Sequence, residues 1–217
     1  MKNIRKLLLL SSSTLLLAAC GNTGTEDMDT TPDPEETEQT ETANQGDEAE
    51  DEASELTETQ QVDSVTVEMV NSEGEQIGTA VFEESTEHGV TLNLNLEGLP
   101  AGEYGMHIHE VGSATPPDFE DAGSHFNPTD VEHGINSETG PHVGDLPNLM
   151  VGEDGVVEEM IEVPNTTLQP DGENTLNNEN GTSLIIHTEA DDYESQPTGD
   201  AGDRQAGGVI FEGTAEE

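Results

Sequence analysis

The sequence predicts an all-β fold, and three observations support that prediction. Apolar residues recur at every second position in several short segments, which is the period of a half-buried strand. Turn-forming residues separate these segments, and no stretch shows a convincing helical pattern. Many short strands of this kind are typical of an antiparallel sandwich or a barrel, and the pattern alone leaves both open.

Seven segments carry this pattern, and each is predicted to be a strand. They are residues 62–70, 77–82, 90–96, 104–109, 156–163, 182–188 and 208–211. Residues 71–74 offer a turn between the first two strands, and residues 87–89 offer one before the third. Residues 110–148 and 188–207 are long, patternless and rich in Gly and Pro. Loops of that length inside a compact domain are usually functional.

The chain is strongly acidic, which limits its partners. Its 217 residues include 49 acidic and 4 basic ones, a formal net charge of −45. Lys2, Arg5 and Lys6 precede Cys20, so a chain cut before Cys20 keeps one basic residue, Arg204, against 49 acidic ones, a charge of −48. Because nucleic-acid affinity comes from Lys and Arg on phosphates, the surface argues against such a partner. We also expect a salt-adapted domain, since salt screens this self-repulsion.

The first 60 residues are predicted to export and tether the domain. Residues 1–19 have a basic start, an apolar run broken by SSST and small residues before Cys20, which is a secretory signal pattern. The ending LAAC resembles a bacterial lipobox, which implies cleavage before Cys20, lipidation of its thiol and a membrane-anchored protein on the extracytoplasmic face. The alternative is a plain export signal with an incidental cysteine. Residues 20–60 are then a lipidated Cys and a disordered acidic tether, and residues 61–217 form the β domain.

Six of the seven histidines, all except His88, suggest a metal site. His107 and His109 flank one residue on a predicted strand, so their side chains leave the same face. The others are His125, His133, His142 and His187, with Asp145 three residues beyond His142. Imidazole suits zinc and copper, and two four-coordinate ions that share one ligand would use all seven side chains. For any single histidine, a surface or capping role is the commoner alternative.

Six motifs in this region resemble those of the copper/zinc superoxide dismutases. They are HIHE, AGSHFNP, EHG, PHVGDLPN, LIIHTEADD and TGDAGDRQAGGVI, and they follow the family's order and nearly its spacing. The similarity covers roughly residues 62–213. It implies an eight-stranded antiparallel Greek-key barrel with two long functional loops, the first binding zinc and the second lining the active-site channel.

The resemblance also implies a role for each site residue. Copper would be held by His107, His109, His125 and His187, and zinc by His125, His133, His142 and Asp145. His125 would bridge the two ions and carry a proton in catalysis. Asp191 would link histidines of the two sites as an outer partner, and Arg204 would hold the superoxide anion. Arg204 could otherwise be a chance survivor or a partner for Asp200 or Asp203.

Three departures from the family stand out. Phe119 and Gly207 occupy the positions where the family has two disulfide-bonded cysteines, so no disulfide is expected. Phe119 is instead expected to pack the first loop down by burial. Pro197 occupies the position of a lysine that steers the substrate in many members of the family. We therefore expect activity that rises with salt, because the acidic surface repels an anion until it is screened.

The leading hypothesis is a lipid-anchored superoxide dismutase that produces oxygen and hydrogen peroxide. The rival is a catalytically inactive lipoprotein that buffers or delivers copper or zinc. The sequence leaves open whether the protein forms a homodimer.

Overall fold

The computed structural model describes residues 61–85 and 89–214, and its regular elements are almost all strands. The strands are β1 (Ser64–Asn71), β2 (Gln76–Ser85), β3 (Gly89–Glu97), β4 (Gly102–Tyr104), β5 (Met106–His109), β6 (Leu149–Val151), β7 (Val156–Val163), β8 (Gly181–His187) and β9 (Arg204–Glu212). One turn of 3₁₀ helix, Glu120–Ala122, is the sole helical element in these two ranges, so they contain no helix long and apolar enough to cross a bilayer. The leader, Cys20, the tether and His88 lie outside the described residues.

The strands close into a barrel. Seven form one antiparallel sheet in the order β5-β8-β9-β1-β2-β3-β7, and β4 pairs with β6. Only Gly105 separates β4 from β5, so they are two halves of one strand, while β6 lies against β7. The result is an eight-stranded antiparallel barrel, which confirms the predicted fold class. β3 pairs with β7 and not with the strand that follows it, as Greek-key connections require.

The alternation seen in the sequence places the core. Along β3, Val90, Leu92, Leu94 and Leu96 are buried, and the residues between them are partly or fully exposed. β8 differs, because all seven of its residues are buried. Leu184 and Ile186 pack in the main core, whereas Ile185 joins a second cluster with Phe119 and Ala122 on the outer face. The first long loop therefore covers β8 from outside.

The largest differences from the prediction are a break within one strand, an earlier start of the last strand and one additional strand. The expected strand over 104–109 is interrupted at Gly105, whose N–H donates to Glu189 O at 2.7 Å and whose carbonyl accepts from His187 N at 2.8 Å. β9 begins at Arg204, so the second loop spans residues 188–203 and not 188–207. The first residues of β9 are polar or Gly, so they show no strand pattern in the sequence. β6 was not predicted because three residues are too few to show alternation.

Candidate metal centre

The barrel and its first loop bring the six predicted histidines together. β5 carries His107 and His109, β8 ends at His187, and the first long loop supplies His125, His133 and His142. All six are buried, with exposures between 0% and 7%. Polar side chains are rarely buried in such a group unless they are hydrogen-bonded or bind metals. The cluster therefore needs a chemical explanation beyond packing.

The first set of potential ligands is His107, His109, His125 and His187, whose ligand atoms lie within 4.8 Å of one another. One nitrogen of each ring is buried without a hydrogen-bond partner. These atoms are His107 Nδ1 and the Nε2 atoms of His109, His125 and His187. Four buried, unpaired nitrogens this close together would be costly without a ligand. A metal ion that accepts imidazole ligands fits this position.

The second set is His125, His133, His142 and Asp145. The Nδ1 atoms of His125 and His142 lie 2.9 Å and 3.2 Å from Asp145 Oδ1, and His133 Nδ1 lies 3.0 Å from Oδ2. Three imidazoles and one carboxylate form a donor set that zinc accepts. His125 belongs to both sets, with Nε2 in the first and Nδ1 in the second. The structure thus brings the seven predicted ligands together in two sets that share His125.

Outer partners fix the ring orientations. Asp191 reaches both sets, because its Oδ2 lies 2.7 Å from His107 Nε2 and its Oδ1 lies 3.1 Å from His133 Nε2. The carbonyl of Gly123 pairs with His109 Nδ1 at 3.0 Å, and the carbonyl of Gly202 pairs with His187 Nδ1 at 3.3 Å. Each contact occupies one ring nitrogen and leaves the other free for an ion. Such partners determine both tautomer and orientation.

The pKa values of individual histidines in the site are shifted in opposite directions. Burial lowers the pKa of His125 to about 4 and that of His187 to about 3, so these rings are neutral at pH 7. Burial also lowers the pKa of His109. Burial would lower the pKa of His133 too, but Asp145 and Asp191 outweigh it and raise that pKa to about 9. Without an ion, His133 therefore holds a proton between two carboxylates.

Arg204 lies at the start of β9, where it pairs with His187. Its guanidinium donates to the carbonyl of Phe119 through Nη1 and to the carbonyl of Gly123 at 2.6 Å through Nη2. These partners are backbone atoms and not Asp200 or Asp203, so the alternative of a local ion pair loses support. Gly123 O also pairs with His109 Nδ1, which ties the cation to the first set.

The surroundings of Arg204 are acidic. A cavity of about 490 Å³ at this position is lined by Asp118, Glu120, Asp203 and Arg204, with Pro117 and Gly202. Pro197 is exposed and brings no charge. Burial lowers the pKa of Arg204, whereas Glu120, Asp121 and Asp118 raise it, and the group stays charged. Carboxylates therefore surround the cavity beside this cation.

Two amide side chains that the sequence did not single out brace the loops. Gln196 accepts from His133 N and donates to His133 O, both at 2.8 Å. Asn148 accepts from Asp191 N and donates to Asp191 O, both at 2.9 Å. Each clamp joins one long loop to the other. Asn148 lies within the motif PHVGDLPN, whereas no local signal marks Gln196.

Comparison with known proteins gives one consistent family. Residues 76–210 match a family model described as copper/zinc superoxide dismutase. Superoxide dismutase (Cu-Zn) 2 of Aquifex aeolicus is 46% identical over 144 residues, covering 66% of this chain and 84% of that protein. A SOD-like protein from Bacillus subtilis aligns with a TM-score of 0.65 and 41% identity, covering 67% of this chain and 97% of that one. Cu/Zn superoxide dismutase from Brucella abortus aligns with a TM-score of 0.56 and 31% identity, covering 68% and 99% of the two chains.

Proposed function

The chain belongs to the copper/zinc superoxide dismutase family, and we propose that it converts superoxide to oxygen and hydrogen peroxide at a copper site that His125 links to a zinc site. The observation that carries this proposal is the grouping of four buried, unpaired imidazole nitrogens near Arg204, the only Lys or Arg in residues 61–217. A structural core has no use for such an arrangement. An anion-processing metal site requires both parts.

The two donor sets favour different metals. Copper would be held by the four-imidazole set of His107, His109, His125 and His187, because copper accepts imidazole readily. Zinc would be held by the set that contains Asp145, where carboxylate and imidazole combine. When bound, copper supplies the one-electron chemistry that superoxide disproportionation needs.

The chain's own residues supply binding and proton handling. Arg204 offers a fixed positive charge for the superoxide anion, oriented by the carbonyls of Phe119 and Gly123. The Nδ1 atom of His125 faces the zinc set. Its Nε2 has no hydrogen-bond partner and can therefore hold a proton and deliver it. Asp191 keeps His107 and His133 in one orientation by contacting both rings.

We expect the full chain, loaded with copper and zinc, to disproportionate superoxide rapidly, and the Arg204→Ala variant to be roughly 10- to 100-fold slower. That range corresponds to one hydrogen bond from a charged group, about 1.5 to 3 kcal/mol. Stopped-flow decay of superoxide measures the rate, and metal analysis must show equal copper in both proteins. Arg204→Lys, which keeps the charge without the planar donor fork, should lie between them.

The same assay separates the rival function. The Bacillus subtilis relative is described as SOD-like, so a metal-binding protein without turnover is the second candidate. Two bound metals with no turnover at any salt concentration would establish that candidate and reject the enzyme.

Zinc binding to the metal-free protein should release about one proton at pH 7.5. His133 is protonated there because its pKa is raised to about 9, and a ligand imidazole must be neutral. The release should fade as the pH rises through 9, where the ring is already neutral. A pH indicator in weak buffer measures it, with a titration at pH 10 as the control. Equal proton release at the two pH values would contradict the assignment.

We also propose that Cys20 is lipidated and anchors the domain to the extracytoplasmic face of the membrane, as the LAAC sequence and the acidic residues 21–60 suggest. In cells given radiolabelled palmitate, the full chain should carry the label and its Cys20→Ser variant should not. Equal labelling of the two proteins would reject the anchor.

A further inference from the structure

Phe119 fastens the first long loop to the outside of the barrel. Its side chain is fully buried, and it packs with Ala122 and Ile185 in a cluster that also includes Val70 and Ala114. This cluster is separate from the main core. The expected burial of Phe119 is thus confirmed, and it places a large apolar anchor directly above β8 and β9.

Gly207 creates the space for this ring. It lies on β9, paired with Val70 of β1 on one side and with Ile185 of β8 on the other. A Cβ atom at this position would lie 2.8 Å from Ile185 Cδ1 and 3.1 Å from Phe119 Cδ1. Both distances are shorter than ordinary carbon contacts. The missing side chain of Gly207 and the ring of Phe119 therefore fit each other.

The backbone of Phe119 leads from this anchor to Arg204. The residue has φ 53° and ψ 24°, the left-handed conformation, which is unusual for a bulky side chain. Its N–H donates to Thr115 O at 3.0 Å, and its carbonyl accepts from Arg204 Nη1. Burial of the ring offsets the cost of this conformation. Ring, carbonyl and guanidinium thus form one connected unit.

From this unit we infer that Phe119 is a positioning residue for Arg204, with the Phe119–Gly207 contact fixing the carbonyl that aims the guanidinium. Arg204 has acidic neighbours, and Asp118, Glu120 and Asp203 line the same cavity. A guanidinium released from the carbonyl of Phe119 would turn toward these carboxylates. The expectation that this release weakens superoxide binding rests on the proposed function. The positioning of Arg204 by Phe119 is independent of that function.

Arginine NMR tests the positioning directly, because the sequence contains only Arg5 and Arg204. The full chain with Arg5→Lys, labelled with ¹⁵N-arginine and loaded with zinc and diamagnetic Cu(I), reports Arg204 alone. We expect Phe119→Ala to speed the exchange of the Arg204 Nη protons roughly tenfold, as one lost hydrogen bond of a charged donor implies. Unchanged exchange in a folded Phe119→Ala protein would overturn the inference.

Two further variants keep the test decisive. Phe82→Ala removes an equally buried ring from β2 in the main core. It should leave Arg204 exchange within about twofold of the parent, because Arg204 donates to the carbonyl of Phe119 and Phe82 lies in a separate cluster. Gly207→Ala leaves no cavity, and its added Cβ pushes on the ring of Phe119. It should also speed exchange, and it takes the place of Phe119→Ala in the test if that variant does not fold. Equal acceleration by Phe82→Ala and Phe119→Ala would mean general loosening and would also reject the inference.

Turnover of the same variants separates this inference from the proposed function. If the parent protein disproportionates superoxide, Phe119→Ala should slow it, and should have no further effect once Arg204→Ala is present. If the parent shows no turnover while Phe119→Ala still frees Arg204, the proposed function fails and the positioning role stands. Additive losses in the double variant would show that Phe119 acts on catalysis by a route other than Arg204.

Discussion

Replacing His187 with Ala should lower superoxide turnover by at least about 100-fold, since even an outer partner of a metal ligand is worth about 10- to 100-fold. His187 is the contribution of β8 to the first set, and its Nε2 is one of the four buried, unpaired nitrogens. Its ring is neutral and ready to bind because burial lowers its pKa to about 3. Copper affinity should fall with turnover.

Zinc retention gives this prediction its internal control. His187 is absent from the second set, so His187→Ala should keep its zinc while it loses copper. His88→Ala, which removes the one histidine that the sequence does not predict to be a ligand, should keep both metals and full turnover. A His187→Ala protein that retains copper and turns over normally would remove His187 from the site.

Turnover should rise with salt by about tenfold, the lower end of the 10 to 10³ range for electrostatic steering. The chain carries 49 acidic residues against 4 basic ones, and the cavity beside Arg204 is lined by Asp118, Glu120 and Asp203. At low salt these carboxylates repel superoxide, and at roughly 1 M salt the Debye length falls to about 3 Å. The melting temperature should rise over the same series. A rate that falls steadily from low to molar salt would contradict this prediction.

A matched pair of variants locates the effect. Asp118→Asn with Glu120→Gln should raise the low-salt rate and flatten the salt profile, because both side chains line the cavity of Arg204. Glu158→Gln with Glu159→Gln removes the same charge from exposed positions on β7 and should change little. If both pairs act equally, net charge and not the cavity governs the approach of superoxide.

The strands were predictable where the pattern was long enough to read. Residues 90–96 alternate over seven positions and residues 65–69 over five, and β3 and β1 lie there. β6 has only three residues, and the start of β9 contains Arg204, Gln205 and a pair of glycines. No local period marks such segments, because their pairing partners decide their conformation. The break at Gly105 likewise depends on the second loop.

The potential ligands of the metal site could also be predicted from the sequence. Histidine and aspartate at motif spacing name the potential ligands, and the structure brings every one of them into two sets. The clamps by Asn148 and Gln196 carried no such signal of their function. An amide that holds a backbone 43 or 63 residues away is indistinguishable, in sequence, from any surface amide.

By itself, the sequence determined the strand alternation, the acidic charge and the set of potential ligands, because these depend on side-chain type and local spacing. The tertiary structure alone decided which nitrogen of each ring stays free, since Asp191, Gly123 and Gly202 occupy the other one. It also decided that the carbonyl of Phe119 receives Arg204. These are contacts between segments distant in the chain, and such contacts form only when the barrel closes and its two loops fold over one end.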